Sequence, residues 1–216
     1  MPEPELMNSA DQALAYACAD FAEPHERFVA LFKECFPDLR PQGLVLDLGC
    51  GPGDVSCRFA RAFPGCRIEG IDGAAAMLAV GREDIASRGL ADRISLHQCY
   101  LPHDRLPHGQ YDVVICNSLL HHLRDPMVLW STLRDHAAPG AAIFVMDLLR
   151  PSSPVRAAAL VDQYAEGEPE ILRRDFYQSL LAAYSLTEVQ AQLDAALPGL
   201  EARVVSDRHW IAFGRR

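Results

Sequence analysis

The chain has 216 residues, half of them hydrophobic, and carries 29 acidic against 20 basic side chains for a formal net charge of −9. That length and apolar content suit one domain with a sizeable core, and the acidic balance argues against a broad phosphate-binding surface for nucleic acid. No apolar run approaches the ~20 residues of a membrane helix, and the start Met1-Pro2-Glu3-Pro4-Glu5 lacks a secretory charge pattern.

The seven cysteines contain no C-x-x-C pair and read as small buried residues of a reducing cytosol, not as a zinc site or a disulfide frame. A cytoplasmic location is therefore expected, with no metal. At the N-terminal end, Ser9 to Gln12 forms a capping box opening a helix whose apolar face is Leu14, Cys18 and Phe21. Pro24 starts a second helix, with Phe28, Leu31, Phe32 and Cys35 at i, i+3, i+4, i+7, and Pro37 and Pro41 end it.

Leu44 to Leu48 is a short apolar run with Asp47 inside it, as a buried parallel strand requires. Gly49, Gly51 and Gly53 then alternate with Cys50 and Pro52, so the backbone can turn sharply and approach a ligand closely. From Asp54 to Phe63, Val55, Phe59, Ala60 and Phe63 share one helical face. Strand, glycine loop and helix form the first crossover of a dinucleotide-style α/β fold. The glycines are spaced G-x-G-x-G, one residue shorter than the G-x-G-x-x-G of nicotinamide and flavin folds, which disfavours an oxidoreductase.

With its strand and helix, the stretch VLDLGCGPG resembles the first motif of the class I S-adenosylmethionine-dependent methyltransferases. The resemblance implies a Rossmann-like, doubly wound seven-stranded α/β sheet with its last strand antiparallel and a small helical cap. It implies S-adenosylmethionine as cofactor, methyl transfer to a small-molecule acceptor by in-line displacement, and cofactor contacts at Asp47, Gly49, Cys50, Gly51 and Gly53. A non-catalytic cofactor-binding protein and a tRNA-modifying relative stay open as alternatives. In the family resembled, N-terminal helices roof the cofactor pocket, which makes Tyr16 a candidate contact.

Cys66 to Ile71 reads as the second strand and runs into Asp72-Gly73. Asp72 lies nineteen residues beyond Gly53, near the ~20 expected for an acid that binds a ribose, and a carboxylate suits two adjacent hydroxyls. Gly73 and Met77 open the following helix, Ala74 to Ser87, and join the cofactor candidates. Arg93 to His97 is the third strand. After it the family resembled often has an acid that holds the adenine amino group. Here Cys99 stands in that place, so Cys99, a backbone contact at Tyr100 or the Gln98 amide is expected to serve.

Tyr111 to Cys116 is the fourth strand, running into Asn117 and then His121 and His122. This resembles the small-molecule methyltransferase pattern ending in H-L-x-D-P, matched here by Leu123 and Asp125-Pro126. Asn117 is expected near the sulfonium. One of His121 and His122 is expected to face the pocket and take a proton from the acceptor, with His122 preferred because the resembled motif places its histidine there.

Pro139-Gly140 turns the chain into a fifth strand, Ala142 to Met146. Arg150 to Tyr184 reads as a helical insertion, and a loop at that sheet edge is placed to act as a substrate lid through Arg150, Tyr164 and Arg174. Ser185 to Glu188 is a second capping box, Pro198-Gly199 stops its helix, and two strands close the sheet as a hairpin. The expected organisation is an N-terminal helical cap (1–41), a cofactor-binding core (42–149), the insertion (150–184) and a C-terminal helix and hairpin (185–216). The oligomeric state is not readable.

Overall fold

In this computed structural model the described residues run from 21 to 216. The expected first helix, its Ser9–Gln12 capping box and Tyr16 lie outside them. Seven strands form one sheet in the order β3-β2-β1-β4-β5-β7-β6. These are β1 (Gly43–Leu48), β2 (Cys66–Asp72), β3 (Ile94–Gln98), β4 (Tyr111–Asn117), β5 (Ala137–Leu148), β6 (Glu201–Val204) and β7 (His209–Arg215). The first five are parallel, and β7 runs antiparallel to both β5 and β6. The helices are α1 (Ala22–Cys35), α2 (Asp54–Ala62), α3 (Ala75–Ser87), α4 (Met127–His136), α5 (Pro154–Tyr164), α6 (Glu170–Ala182) and α7 (Leu186–Ala196). Among the described residues no helix is long and apolar enough to cross a membrane.

Period-2 alternation sends strand side chains into two cores. Val45, Val113, Ile115, Phe144 and Met146 face the helices α1, α2 and α3, while Leu46, Val114, Cys116, Ile143 and Val145 face α4 and α7. On the first face Phe28 and Phe32 of α1 anchor the helix, Phe28 edge-on to Phe144 and Phe32 edge-on to Phe59, both at 4.9 Å between ring centroids. Edge-to-face contacts place the positive ring edge on the negative ring face, which favours this geometry over a flat stack. Pro24 falls in the first turn of α1, where a missing N–H breaks no helical bond.

Two boundaries differ from expectation. β5 starts at Ala137, so the Pro139-Gly140 pair sits inside the strand. The register breaks between Tyr111↔Ala137 and Val113↔Ala142, and the pair occupies that irregularity, with Gly140 at φ +79. The insertion resolves into a hairpin of α5 and α6, which close a small apolar cluster of their own over Leu148. The capping box of α7 is complete: the Glu188 N–H donates to Ser185 Oγ, and Glu188 Oε2 accepts the Ser185 N–H at 2.8 Å.

Candidate functional site

Consecutive crossovers place β4 beside β1, so the chain reverses its direction of travel across the sheet there. Ligands of open α/β sheets bind beyond the strand ends at such a point. A cavity of about 330 Å³ opens at that edge, with Gly49 following β1, Asp72 ending β2 and Asn117 ending β4.

The loop after β1 is shaped by its glycines. Gly49, Gly51 and Gly53 have φ of +69, +52 and +81, a region L side chains rarely adopt. The N–H groups of Gly49 and Cys50 donate to Ile71 O at 2.9 and 3.0 Å, which folds the loop back onto β2. A Cβ on Gly51 would meet no atom within 4 Å, so that backbone faces open space in the cavity wall. Gly53 departs from expectation: it does not line the cavity, and its Cβ position faces Ile85 and Leu96 instead. Its part is conformational, as the left-handed N-cap of α2.

Asp72 Oδ2 accepts the Gly51 N–H at 2.9 Å, and Oδ1 accepts the Ala74 N–H at 2.8 Å. Burial raises its carboxyl above the usual range, and these two donors work against that rise. Asp47 is fully buried beneath the loop and accepts the Ser56 hydroxyl at 2.5 Å. Burial pushes it up to about 7, with the Ser56 hydrogen bond opposing and the neighbouring Asp72 charge adding. Asn117 Oδ1 is buried and has no hydrogen-bond partner among the described residues. A buried amide oxygen on a cavity wall lacks only a donor, which a bound ligand can bring.

Most of the expected cofactor contacts converge here: Asp47, Gly49, Cys50, Gly51, Asp72, Gly73, Met77, Cys99, Tyr100 and Asn117 all line the cavity. The adenine alternatives are altered by the structure. The Gln98 amide already donates to Gly73 O and Tyr100 Oη, and the Tyr100 N–H donates to Asp104 Oδ2 at 2.8 Å.

The two histidines part company. Both sit on the 3-10 turn Leu120–His122, but His122 lines the cavity and His121 does not. The His121 side chain is 3% exposed, and its Nδ1 lies 2.5 Å from Asp147 Oδ1. Of the insertion's expected substrate residues, Arg150, Tyr164 and Arg174 do not line the cavity. Arg150 donates to Ala183 O and Glu188, Tyr164 bonds Asp207 under a guanidinium of Arg208 stacked 3.4 Å from its ring, and Arg174 pairs with Asp175. These contacts knit α5 and α6 to their own surroundings.

Four lining residues carry no sequence signal of their own: His25, Ser118, His103 and Arg124. His25 comes from α1 and bonds Asp54 Oδ2 at 2.9 Å, tying that helix to the start of α2. Burial raises the Asp54 carboxyl, but His25 and Arg58 outweigh it and hold the group far below its ordinary range. Ser118 has φ +56, uncommon outside glycine, and turns the chain immediately after Asn117.

The fold and this glycine-lined cleft define a cofactor-binding α/β domain of the methyltransferase type. A family model described as a methyltransferase domain matches residues 45–140. Among curated proteins, a ubiquinone biosynthesis O-methyltransferase of Acinetobacter baumannii is 28% identical over 173 residues, 78% of this chain and 71% of that protein. A trans-aconitate 2-methyltransferase of Mycobacterium tuberculosis is 33% identical over 126 residues, 56% of this chain and 45% of that protein. The chain spans still less, 24%, of a Synechococcus sp. protein to which it is 36% identical over 101 residues. Among solved structures, an S-adenosylmethionine-dependent methyltransferase of Aquifex aeolicus superposes with TM-score 0.69 at 18% identity, covering 96% of this chain and 98% of that one, and so shares the fold. In residues 45–140 the chain is thus similar to methyltransferase domains, and it shares the fold of an S-adenosylmethionine-dependent methyltransferase.

Proposed function

We propose that the chain methylates an oxygen of a small-molecule acceptor, with S-adenosylmethionine held between the glycine loop, Asp72 and Asn117. The observation that carries this reading is the meeting of those three features with His122 in one cavity at the β1/β4 switch point. An oxygen acceptor is supported by the O-methyltransferase among the relatives. Bound there, the cofactor supplies an electrophilic methyl group on a sulfonium.

The rest falls to the chain's own residues. Asp72 exchanges its backbone donors for, or shares them with, the ribose hydroxyls, and Asn117 Oδ1 accepts a donor from the cofactor's amino-acid end. His122 takes the proton of an acceptor hydroxyl, which an imidazole does well because its ordinary pKa lies near neutrality. Arg124 and His103, at the exposed side of the same cavity, face the acceptor. Holding nucleophile and methyl carbon at attack distance is worth up to about 7–11 kcal/mol, so positioning outweighs any single acid–base contribution.

Incubation with a methyl-labelled donor and a panel of phenols, hydroxy acids and polycarboxylates tests this. Label should appear on oxygen in at least one product, with loss of most turnover in His122→Ala. Label on nitrogen or carbon alone would overturn the oxygen assignment, and label in none of the panel would overturn the acceptor class.

A further inference from the structure

Asp147 is a buried carboxylate at the end of β5, outside the cavity, and the cofactor reading makes no use of it. Its oxygens take three donors. Oδ2 accepts the Leu120 N–H at 2.7 Å, and Oδ1 accepts the Leu148 N–H at 2.6 Å and faces His121 Nδ1 at 2.5 Å. Two of the three partners belong to the turn Leu120–His122, so this one side chain fastens the whole turn to the sheet. The next ring along is His122, on the cavity wall, with its centroid 4.2 Å from that of His121 and the planes 38° apart. Carboxylate, imidazole, imidazole thus form a row running from the buried sheet end to the cavity.

We propose that Asp147 and His121 are positioning residues that orient His122 and keep it neutral, and therefore basic, at lower pH than an isolated histidine. The proposal rests on the reading of His122 as the proton acceptor. Bonded to a carboxylate, His121 Nδ1 carries a proton, which fixes that ring's tautomer and its pitch against His122. A carboxylate at hydrogen-bond distance also favours the doubly protonated ring. Burial alone would raise the Asp147 carboxyl. His121 and the two N–H groups hold it below its usual range. With His121 doubly protonated, the pair puts its negative end on the sheet and its positive end toward His122. A second positive charge on the stacked ring is then disfavoured.

Among the described residues, other titratable or charged groups also surround the turn, and the Cys116 thiol at the end of β4 lies near Asp147. Arg124 and Asp125 follow on the chain, His25 faces the cavity from α1, Asp175 comes from α6 packed on the turn, and Tyr184 and His209 flank Asp147. Burial and then Arg208 lower His209 to about 4, so that ring stays neutral across the working range. A clip that served folding alone would need a buried acceptor for the turn's N–H groups, with no call for two stacked imidazoles of which one reaches the cavity.

The test is a pH titration of the histidine rings by long-range proton–nitrogen NMR on the full chain loaded with S-adenosylhomocysteine. In Asp147→Asn, which keeps an oxygen for the turn, the His122 midpoint should rise by at least half a unit while S-adenosylhomocysteine affinity stays within twofold. His121→Gln, measured in the same way, should move it in the same direction and serves should the first variant fail to fold. An unchanged or lowered His122 midpoint in either folded variant would overturn the proposal and leave the pair a structural clip. The underlying reading fails separately, through undiminished turnover in His122→Ala, which the ring titration does not register.

Discussion

Asp72 Oδ2 and the Gly51 N–H are joined at 2.9 Å, so the end of β2 is tied directly to the turn of the cofactor loop on β1. One carboxylate therefore shapes the loop and stands ready for a ligand. A charge-assisted hydrogen bond contributes about 1.5–3 kcal/mol, and about 1.4 kcal/mol is a factor of ten in affinity. Asp72→Ala should weaken S-adenosylhomocysteine at least tenfold in a calorimetric titration while the protein stays folded. Unchanged affinity in a folded variant would remove Asp72 from the ribose site.

Gly81 offers a different test of the same loop. It lies within α3, where alanine normally gains up to about 1 kcal/mol over glycine. A Cβ there would sit 2.6 Å from the carbonyl oxygen of Pro52, backbone that cannot swing aside as a side chain can. Overpacking of this kind costs about 1–3 kcal/mol. Gly81→Ala should therefore lower the urea midpoint and weaken S-adenosylhomocysteine by displacing Pro52. A more stable protein with wild-type affinity would show that the loop has slack.

Asp47 makes the stability of the protein pH-dependent. Its folded carboxyl sits at about 7 against an ordinary 3.8. The folded state thus keeps a proton that the unfolded chain has released across that window. The stability linked to Asp47 is full at the acid end and is lost as pH rises toward about 7. Asp47→Asn removes the titration and keeps an oxygen for the Ser56 hydroxyl. Its gain in Tm over wild type should be larger at pH 8 than at pH 5, by scanning calorimetry at both. A difference that does not change with pH would mean that Asp47 is ionised throughout.

The insertion is expected to be silent toward ligands. Tyr164 is held by Asp207 and Arg208, and Arg174 stands with Asp175 away from the cavity. Tyr164→Phe and Arg174→Ala should leave S-adenosylhomocysteine affinity and the acceptor KM within twofold of wild type. Stability should fall by no more than about 1 kcal/mol in either, as for exposed polar pairs. A several-fold rise in the acceptor KM with either variant would restore a lid.

The core of this fold was legible because each crossover carries a local signature. Leu44–Leu48 alternates into two buried faces, three glycines announce positive φ, and Asp72 falls at a spacing set by one helix and one strand. The pocket side of His122 follows from the neighbouring ring turning to Asp147, a contact across 26 residues that no local pattern encodes. The same applies to His25, whose place depends on how α1 docks through Phe28 and Phe32, and to Arg124, an exposed loop residue until β4 and α4 are placed. Arg150, Tyr164 and Arg174 looked like ligand contacts by residue type alone. The structure pairs them with Glu188, Asp207 and Asp175, partners that become visible only in three dimensions.

One calorimetric comparison tests the cavity most directly, the titration of S-adenosylhomocysteine and of a reduced nicotinamide dinucleotide into wild type and Asp72→Ala. S-adenosylhomocysteine should bind wild type with one site and lose at least tenfold in the variant, while the nicotinamide cofactor gives no heat with either. Binding of the nicotinamide cofactor, or S-adenosylhomocysteine binding that ignores Asp72, would contradict the assignment of this cavity.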